Sequence, residues 1–166
     1  MASKIIIGVM GPGEGATPDQ NELAYDMGKA IASEGWAVLT GGRAFGVMDA
    51  AMKGAKEKNG LTIGVLPWNN EKGSSPYADI KIITGIGASR NQINVLSSNV
   101  IVVIGMSAGT ASEVSLAIKA DKRIILLQQD ELTSQFFHLI GAHRVVETGT
   151  IEQTLECIKK FLAVNR

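Results

Sequence analysis

The chain has 166 residues, 45% of them hydrophobic and 19% charged, a soluble globular composition long enough for one domain with a real core. Sixteen basic residues balance sixteen acidic ones, so the net charge of zero gives no footprint for nucleic acid or for an anionic membrane surface. The single cysteine, Cys157, excludes an internal disulfide framework and a cysteine-rich metal site, and its setting in Leu155-Glu156-Cys157-Ile158 reads as a small core-facing hydrophobe.

Met1-Ala2-Ser3-Lys4 runs directly into the β-branched segment Ile5–Val9, a predicted strand that ends at glycines. There is no signal-type hydrophobic region and no apolar stretch of membrane-spanning length, so a cytoplasmic location is expected. Pro18–Glu34 places Leu23, Met27, Ala30 and Ile31 at helical spacing, with Thr17 as cap and Pro18 in the first position. Trp36–Leu39 is a second strand, stopped by Thr40-Gly41-Gly42. Phe45–Lys58 reads as a helix whose small face (Val47, Ala51, Ala55) suits close packing on a sheet. Thr62–Leu66 is a third strand, ended by Pro67. Residues 68–79 hold Asn69-Asn70, Gly73, Ser74-Ser75 and Pro76, the one stretch long enough for a lid or binding loop.

Asp79–Ile83 is a short strand and Ala88–Ser98 a helix carrying Arg90 and Asn91. Val100–Ile104 is the most apolar strand and the expected sheet centre. A helix over 110–120, a strand Arg123–Leu127, a short helix Leu132–Ile140, a short strand Arg144–Val146 and a helix Ile151–Val164 complete the chain. Repeated β–α alternation with near-continuous apolar strands predicts one α/β domain over 1–166. The expected form is a doubly wound, Rossmann-like, mostly parallel sheet with helices on both faces.

Such a fold binds ligands outside the carboxyl ends of its strands, where the strand order reverses. Four small-residue loops follow strands and are expected to meet there: 11–17, 40–46, 85–90 and 105–110. The first contributes Gly11, Gly13 and Thr17, but reads G-x-G-x-G rather than a dinucleotide fingerprint. It serves either as part of a cleft or simply as a tight turn into a helix. In the second, Gly41, Gly42 and Gly46 allow close backbone approach, and Arg43 offers a bidentate fork for phosphate unless it is a solvated arginine beside a turn. Met48 reads as a core filler. Arg90 near a helix start runs against the dipole preference, which points to an anion or a carboxylate as its partner. Asn91 stands beside it.

The fourth loop, Gly105-Met106-Ser107-Ala108-Gly109-Thr110, leads from the apolar strand into a helix, where unpartnered N–H groups and the dipole favour an anion. Thr110-Ala111-Ser112-Glu113 also has the form of a capping box, which would give Thr110 and Glu113 a structural role. His138 and His143 lack companions at ligand spacing, so no protein-built metal site is expected.

Taken together, Gly41-Gly42, Gly46-Val47-Met48-Asp49-Ala50-Ala51, Ile63-Gly64-Val65-Leu66-Pro67, Arg90 and Gly109-Thr110-x-x-Glu113 resemble the lysine decarboxylase-like Rossmann group. Its best-known enzymes are the cytokinin riboside 5′-monophosphate phosphoribohydrolases, and the resemblance covers roughly residues 4–128. Their P-G-G-x-G-T-x-x-E motif maps onto Gly109, Thr110 and Glu113, with Arg90 in the place of their upstream arginine. Gly105-Met106-Ser107 stands where they have Pro-Gly-Gly, which would put Met106 bulk where a phosphate meets the backbone. As a whole the chain is similar to the branch that includes the molybdenum cofactor carrier proteins.

That resemblance implies binding and protection of molybdenum cofactor (molybdopterin), or a related phosphorylated pterin or nucleotide, without turnover. The residues it implies are Gly11, Gly13, Thr17, Gly41, Gly42, Arg43, Gly46, Arg90, Asn91, Ser107, Ala108, Gly109, Thr110 and Glu113. It also implies a homo-oligomer, dimer or tetramer, and molybdoenzyme recipients. Two alternatives stay open: nucleoside 5′-monophosphate phosphoribohydrolysis with Arg90 and Glu113 as catalytic residues, and a nucleotide-sensing module.

Overall fold

The computed structural model describes residues 3–164; the two residues at each end of the predicted 1–166 domain lie outside them. Strands β1 (Ile6–Met10), β2 (Ala37–Thr40), β3 (Thr62–Leu66), β4 (Ile80–Ile83), β5 (Val100–Ile104), β6 (Arg123–Leu127) and β7 (Val145–Thr148) form one sheet in the order β4-β3-β2-β1-β5-β6-β7. Every neighbouring pair is parallel, so the expected mostly parallel sheet is wholly parallel among the described residues. The chain builds outward from β1 in one direction, then returns to β5 and builds in the other. The carboxyl ends of β1 and β5 therefore flank the reversal point.

Burial on both sides explains the apolar strands. Every residue of β2, β3 and β5 is buried. Helices α1 (Pro18–Ser33), α2 (Gly46–Glu57) and α6 (Ile151–Val164) pack on one face, with Met27, Ile31, Ala51, Met52 and Ile158 in its core. Helices α3 (Asn91–Ser97), α4 (Ala108–Lys119) and α5 (Glu131–Gly141) cover the other, with Val95, Val114, Ala117 and Phe137. Cys157 is half-buried against the first core.

Local chemistry sets the boundaries. Thr17 caps α1 as expected: its hydroxyl accepts from the Gln20 N–H at 3.2 Å, and the Gln20 side chain answers the Thr17 N–H at 3.1 Å. The predicted 88–98 helix is divided into a 3₁₀ turn, Gly87–Arg90, and the short α3. The helix expected from 110 starts at Ala108, because Ser107 takes the extended cap conformation and its hydroxyl accepts from the Thr110 N–H at 3.2 Å. Thr110 is thus inside the helix, and the predicted capping box with Glu113 does not form.

Helices α1 and α2 touch backbone to backbone. A Cβ on Gly28 would lie 2.0 Å from the Ala51 carbonyl oxygen, and one on Gly54 would lie 1.9 Å from that of Tyr25. This contact fixes how α2, and the loop that leads into it, sit over β1 and β2.

Segment 68–79 is not a free lid. Ser75 donates its N–H to the Gly42 carbonyl at 2.9 Å and its hydroxyl to Asp49 Oδ1 at 2.6 Å, and the Ala44 N–H reaches the Gly73 carbonyl at 3.1 Å. Ser75 is fully buried. The segment braces the β2–α2 loop because that loop's own polar backbone groups need partners where it leaves the sheet.

Gly28→Ala is expected to lower unfolding free energy by about 2 kcal/mol despite the better helix propensity of alanine, since a carbonyl cannot yield as a side chain does. Gly15→Ala, where a Cβ meets nothing within 4 Å, is the matched control. Urea midpoints of the two variants check this.

Candidate functional site

A cavity of about 120 Å³ opens at the carboxyl ends of β1 and β5, at the reversal point. Its lining comes from all four expected loops: Gly11 and Gly13 after β1, Gly41 and Arg43 after β2, Arg90 and Asn91 before β5, and Ser107, Gly109, Thr110 and Glu113 after it. Val9, Met10 and Met48 supply the rest.

Gly41 makes room for Arg90. A Cβ there would stand 2.8 Å from Arg90 Nη2 and 2.8 Å from Met48 Sδ. Gly46 turns into α2 with φ +57° and lies so near Gly13 that a Cβ would be 2.0 Å from the Gly13 carbonyl. The first two loops therefore interlock, and only glycine fits the left-handed turn at that spacing.

Arg90 ends the 3₁₀ turn and is 7% exposed. Its Nη1 donates to Asn91 Oδ1 at 2.5 Å, while its Nε is buried without a hydrogen-bond partner among the described residues. Burial lowers its pKa from the ordinary arginine value; Glu113 opposes that shift, and the positive charge of Arg43 across the pocket adds to it. Arg43 is held differently. Its guanidinium carbon stands 5.4 Å from the Phe45 ring centroid and 5.8 Å from that of Trp68, and Nη2 meets Glu14 Oε1 at 3.4 Å. The aromatic pair and Glu14 hold the fork at the mouth of the cavity.

Glu113, in the second turn of α4, is also 7% exposed. Its Oε1 accepts from Asn94 Nδ2 at 2.8 Å. Burial pushes its carboxyl up to about 7, against the downward pull of the Asn94 hydrogen bond and of Arg90. A carboxyl poised near neutrality beside the Arg90 guanidinium is a chemically able arrangement: it accepts or donates a proton within the physiological range.

Four expected site residues lie outside the lining. Thr17 spends its hydroxyl on the α1 cap. Gly42 packs against Gly64 of β3, Gly46 shapes the turn, and Ala108 is the exposed first residue of α4. Met106 does not crowd the cavity; it packs, half-buried, against the core under α3–α5. Met48, expected as core filler, does line the pocket. Asn94, the partner of Glu113, and the Phe45–Trp68 pair had no assigned role. The four-residue step from Arg90 to Asn94 is the signal that could have found the asparagine.

A family model for the SLOG cluster4 family matches residues 4–155. The chain belongs to that family. A molybdenum cofactor binding protein from the phototrophic bacterium Rippkaea orientalis is 48% identical, with a TM-score of 0.95 over 98% of this chain and 99% of that one. The molybdenum cofactor carrier protein of Chlamydomonas reinhardtii is also 48% identical, with a TM-score of 0.92 over 97% and 99% of the two chains. A cytokinin riboside 5′-monophosphate phosphoribohydrolase of Mycobacterium marinum is 30% identical over 98 residues, 58% of this chain and about half (52%) of that enzyme. The family match and the all-parallel sheet agree with the predicted Rossmann-like fold and with the resemblance read from the motifs.

The raised Glu113 carboxyl has a stability consequence. The folded state holds this proton up to about pH 7, whereas an unfolded glutamate releases it near 4.5. Its stabilising contribution is therefore full below about pH 4.5 and lost as pH rises through about 7. Glu113→Gln keeps the acceptor for Asn94 and removes the titration. Relative to wild type, it is expected to gain about 3 kcal/mol between pH 4.5 and 8. Denaturant unfolding across that range checks the slope.

Proposed function

We propose that this protein binds molybdenum cofactor, or a related phosphorylated pterin or nucleotide, at the carboxyl ends of its strands, and carries it without turnover. The observation that carries this reading is the cavity with buried, under-partnered Arg90 on one side and ring-flanked Arg43 at its mouth. An anionic ligand supplies the hydrogen-bond acceptor that Arg90 Nε lacks. The similarity to carrier proteins at 48% identity supports the cargo assignment.

A cavity of about 120 Å³ is small beside the roughly 300–1,000 Å³ of drug-sized ligand sites, so it suits an anionic head group, with the larger part of the cargo along the rim. The glycines Gly11, Gly13 and Gly109 let the head group approach the backbone, and Ser107, Thr110 and Asn91 supply polar contacts. Molybdoenzymes are the recipients that follow from this reading, and it goes with a cytoplasmic location. No helix among the described residues is long and apolar enough to cross a membrane.

The second reading, hydrolysis of a nucleoside 5′-monophosphate, is favoured by one specific observation: Arg90 and a near-neutral Glu113 share the pocket. In that reading Arg90 answers the phosphate charge and Glu113 stabilises the ribosyl centre.

The protein acts as a homo-oligomer in this proposal. Between Lys81 and Lys119 the chain holds two charged residues, Arg90 and Glu113, and both are buried. On the α3 side of the sheet, Ile80, Ile82 and Leu96 are left exposed on that uncharged surface. Placed against its own copy about a two-fold axis, such a surface meets no like charge. Exposed Leu132, Phe136 and Leu139 on α5, at the other end of the sheet, offer a second face that would extend a dimer to a tetramer.

Anaerobic titration with molybdenum cofactor is expected to show binding that weakens about 10- to 100-fold in Arg90→Gln and also in Gly41→Ala, which displaces the guanidinium while the fold persists. Release of free base from a nucleoside monophosphate panel, abolished in Glu113→Ala, would instead establish the hydrolase. Light scattering is expected to give a dimer or tetramer, and Leu96→Glu combined with Ile82→Glu a smaller species.

A further inference from the structure

The pocket contains one acid among its cations, and its two oxygens are not equivalent. Asn94 is fully buried, and its Nδ2 donates to Glu113 Oε1 at 2.8 Å. Oε1 is thereby kept as an acceptor. No described residue hydrogen-bonds Oε2, so a proton on this carboxyl belongs on Oε2 of a residue that lines the cavity. Arg90 lines the same cavity with an unpartnered Nε.

We infer that Glu113 and the oxyanion held beside Arg90 share one proton, so that Glu113 sorts oxyanions by whether they carry hydrogen. The inference rests on the reading of this pocket as an anion cradle. An ionised carboxylate and a fully deprotonated oxyanion present only lone pairs to each other and repel. One proton between them turns that repulsion into a charge-assisted hydrogen bond. Its source differs by ligand. Inorganic phosphate keeps a proton through the neutral and mildly alkaline range and donates it to Oε2. Sulfate has none, so Glu113 must bring it from solvent. A phosphate monoester loses its last proton near pH 6 and above that behaves like sulfate.

Few other charged groups stand around Glu113. Arg90 faces it from the 3₁₀ turn, and Arg43, paired with Glu14, from across the cavity. Strands β1 and β5 and helix α3 carry no ionisable side chain, and β6 only Arg123 at its start, bonded to the His143 carbonyl. Lys119 lies in the last turn of α4, away from the cavity-lining first turns. Among the charged side chains that line the cavity Glu113 is the one acid, which makes it the discriminating group. Its carboxyl, pushed up to about 7 by burial, is set where this matters.

Calorimetric titration of inorganic phosphate and of sulfate from pH 6 to 9, at fixed ionic strength, tests this on wild type and Glu113→Gln. Sulfate affinity is expected to fall about tenfold per pH unit above neutrality, with uptake of close to one proton at pH 8 read from buffers of different ionisation enthalpy. Phosphate affinity is expected to change less than about threefold over the same range, since the proton it carries replaces the one Glu113 has lost. In Glu113→Gln, whose amide offers an N–H without titrating, the sulfate curve should be flat and the phosphate curve should follow only the ligand's own second ionisation. Parallel phosphate and sulfate curves in wild type, or a sulfate slope that survives in the variant, overturn the inference while leaving the anion cradle standing. Failure of both anions to bind at every pH overturns both.

Discussion

A guanidinium buried without a salt-bridge partner among the described residues is the constraint around which this molecule is arranged. Arg90 has one side-chain hydrogen bond, to its neighbour Asn91, and an orphaned Nε. Taking such a group out of water is costly unless something negative stands by. Glu113 is near enough to ease the charge yet is bonded to Asn94. The pair is thus left incompletely compensated, and the anion of the proposed function is what would complete it. The geometry is kept by groups that do not move easily: the 3₁₀ turn under Arg90, the Ser107 cap under Glu113, and the glycines that bring the first two loops into contact.

The carrier and hydrolase readings both draw on this arrangement. Binding, as proposed, uses the two arginines and the backbone donors. Hydrolysis also needs the carboxyl in a defined protonation state against the scissile bond. What separates the two is where the substrate's reacting carbon lies relative to Glu113. Met106, packed into the core rather than toward the ligand, leaves the entrance open to either.

Most of the architecture was legible in the residues because each layer of information pointed the same way. The runs at Ile5, Trp36, Thr62, Val100 and Arg123 are strands, since a strand covered on both faces needs unbroken apolar sequence. The four loops met because a doubly wound sheet leaves them nowhere else to go. Misreadings arose where two local signals competed. Ser107 and Thr110 are both capable caps, and the extended backbone at Ser107 decided between them. Met48 and Met106 are equivalent on paper, yet one turned to the cavity and the other to the core. Asn94 and the Phe45–Trp68 pair act only through tertiary contacts that no periodicity encodes. The segment 68–79 looked loose by composition, but its serines and glycines are there to bond, not to flex.

That bracing segment has a consequence for how the chain tolerates change. Surface loops are ordinarily where insertions and deletions accumulate at little cost. Here the Gly42, Gly73 and Ser75 backbone bonds and the Ser75–Asp49 bond fix the register between two loops. A residue gained or lost between Trp68 and Asp79 therefore shifts the seat of Arg43 as surely as a change within its own loop. The length of this stretch, rather than most of its side chains, is what the pocket holds constant.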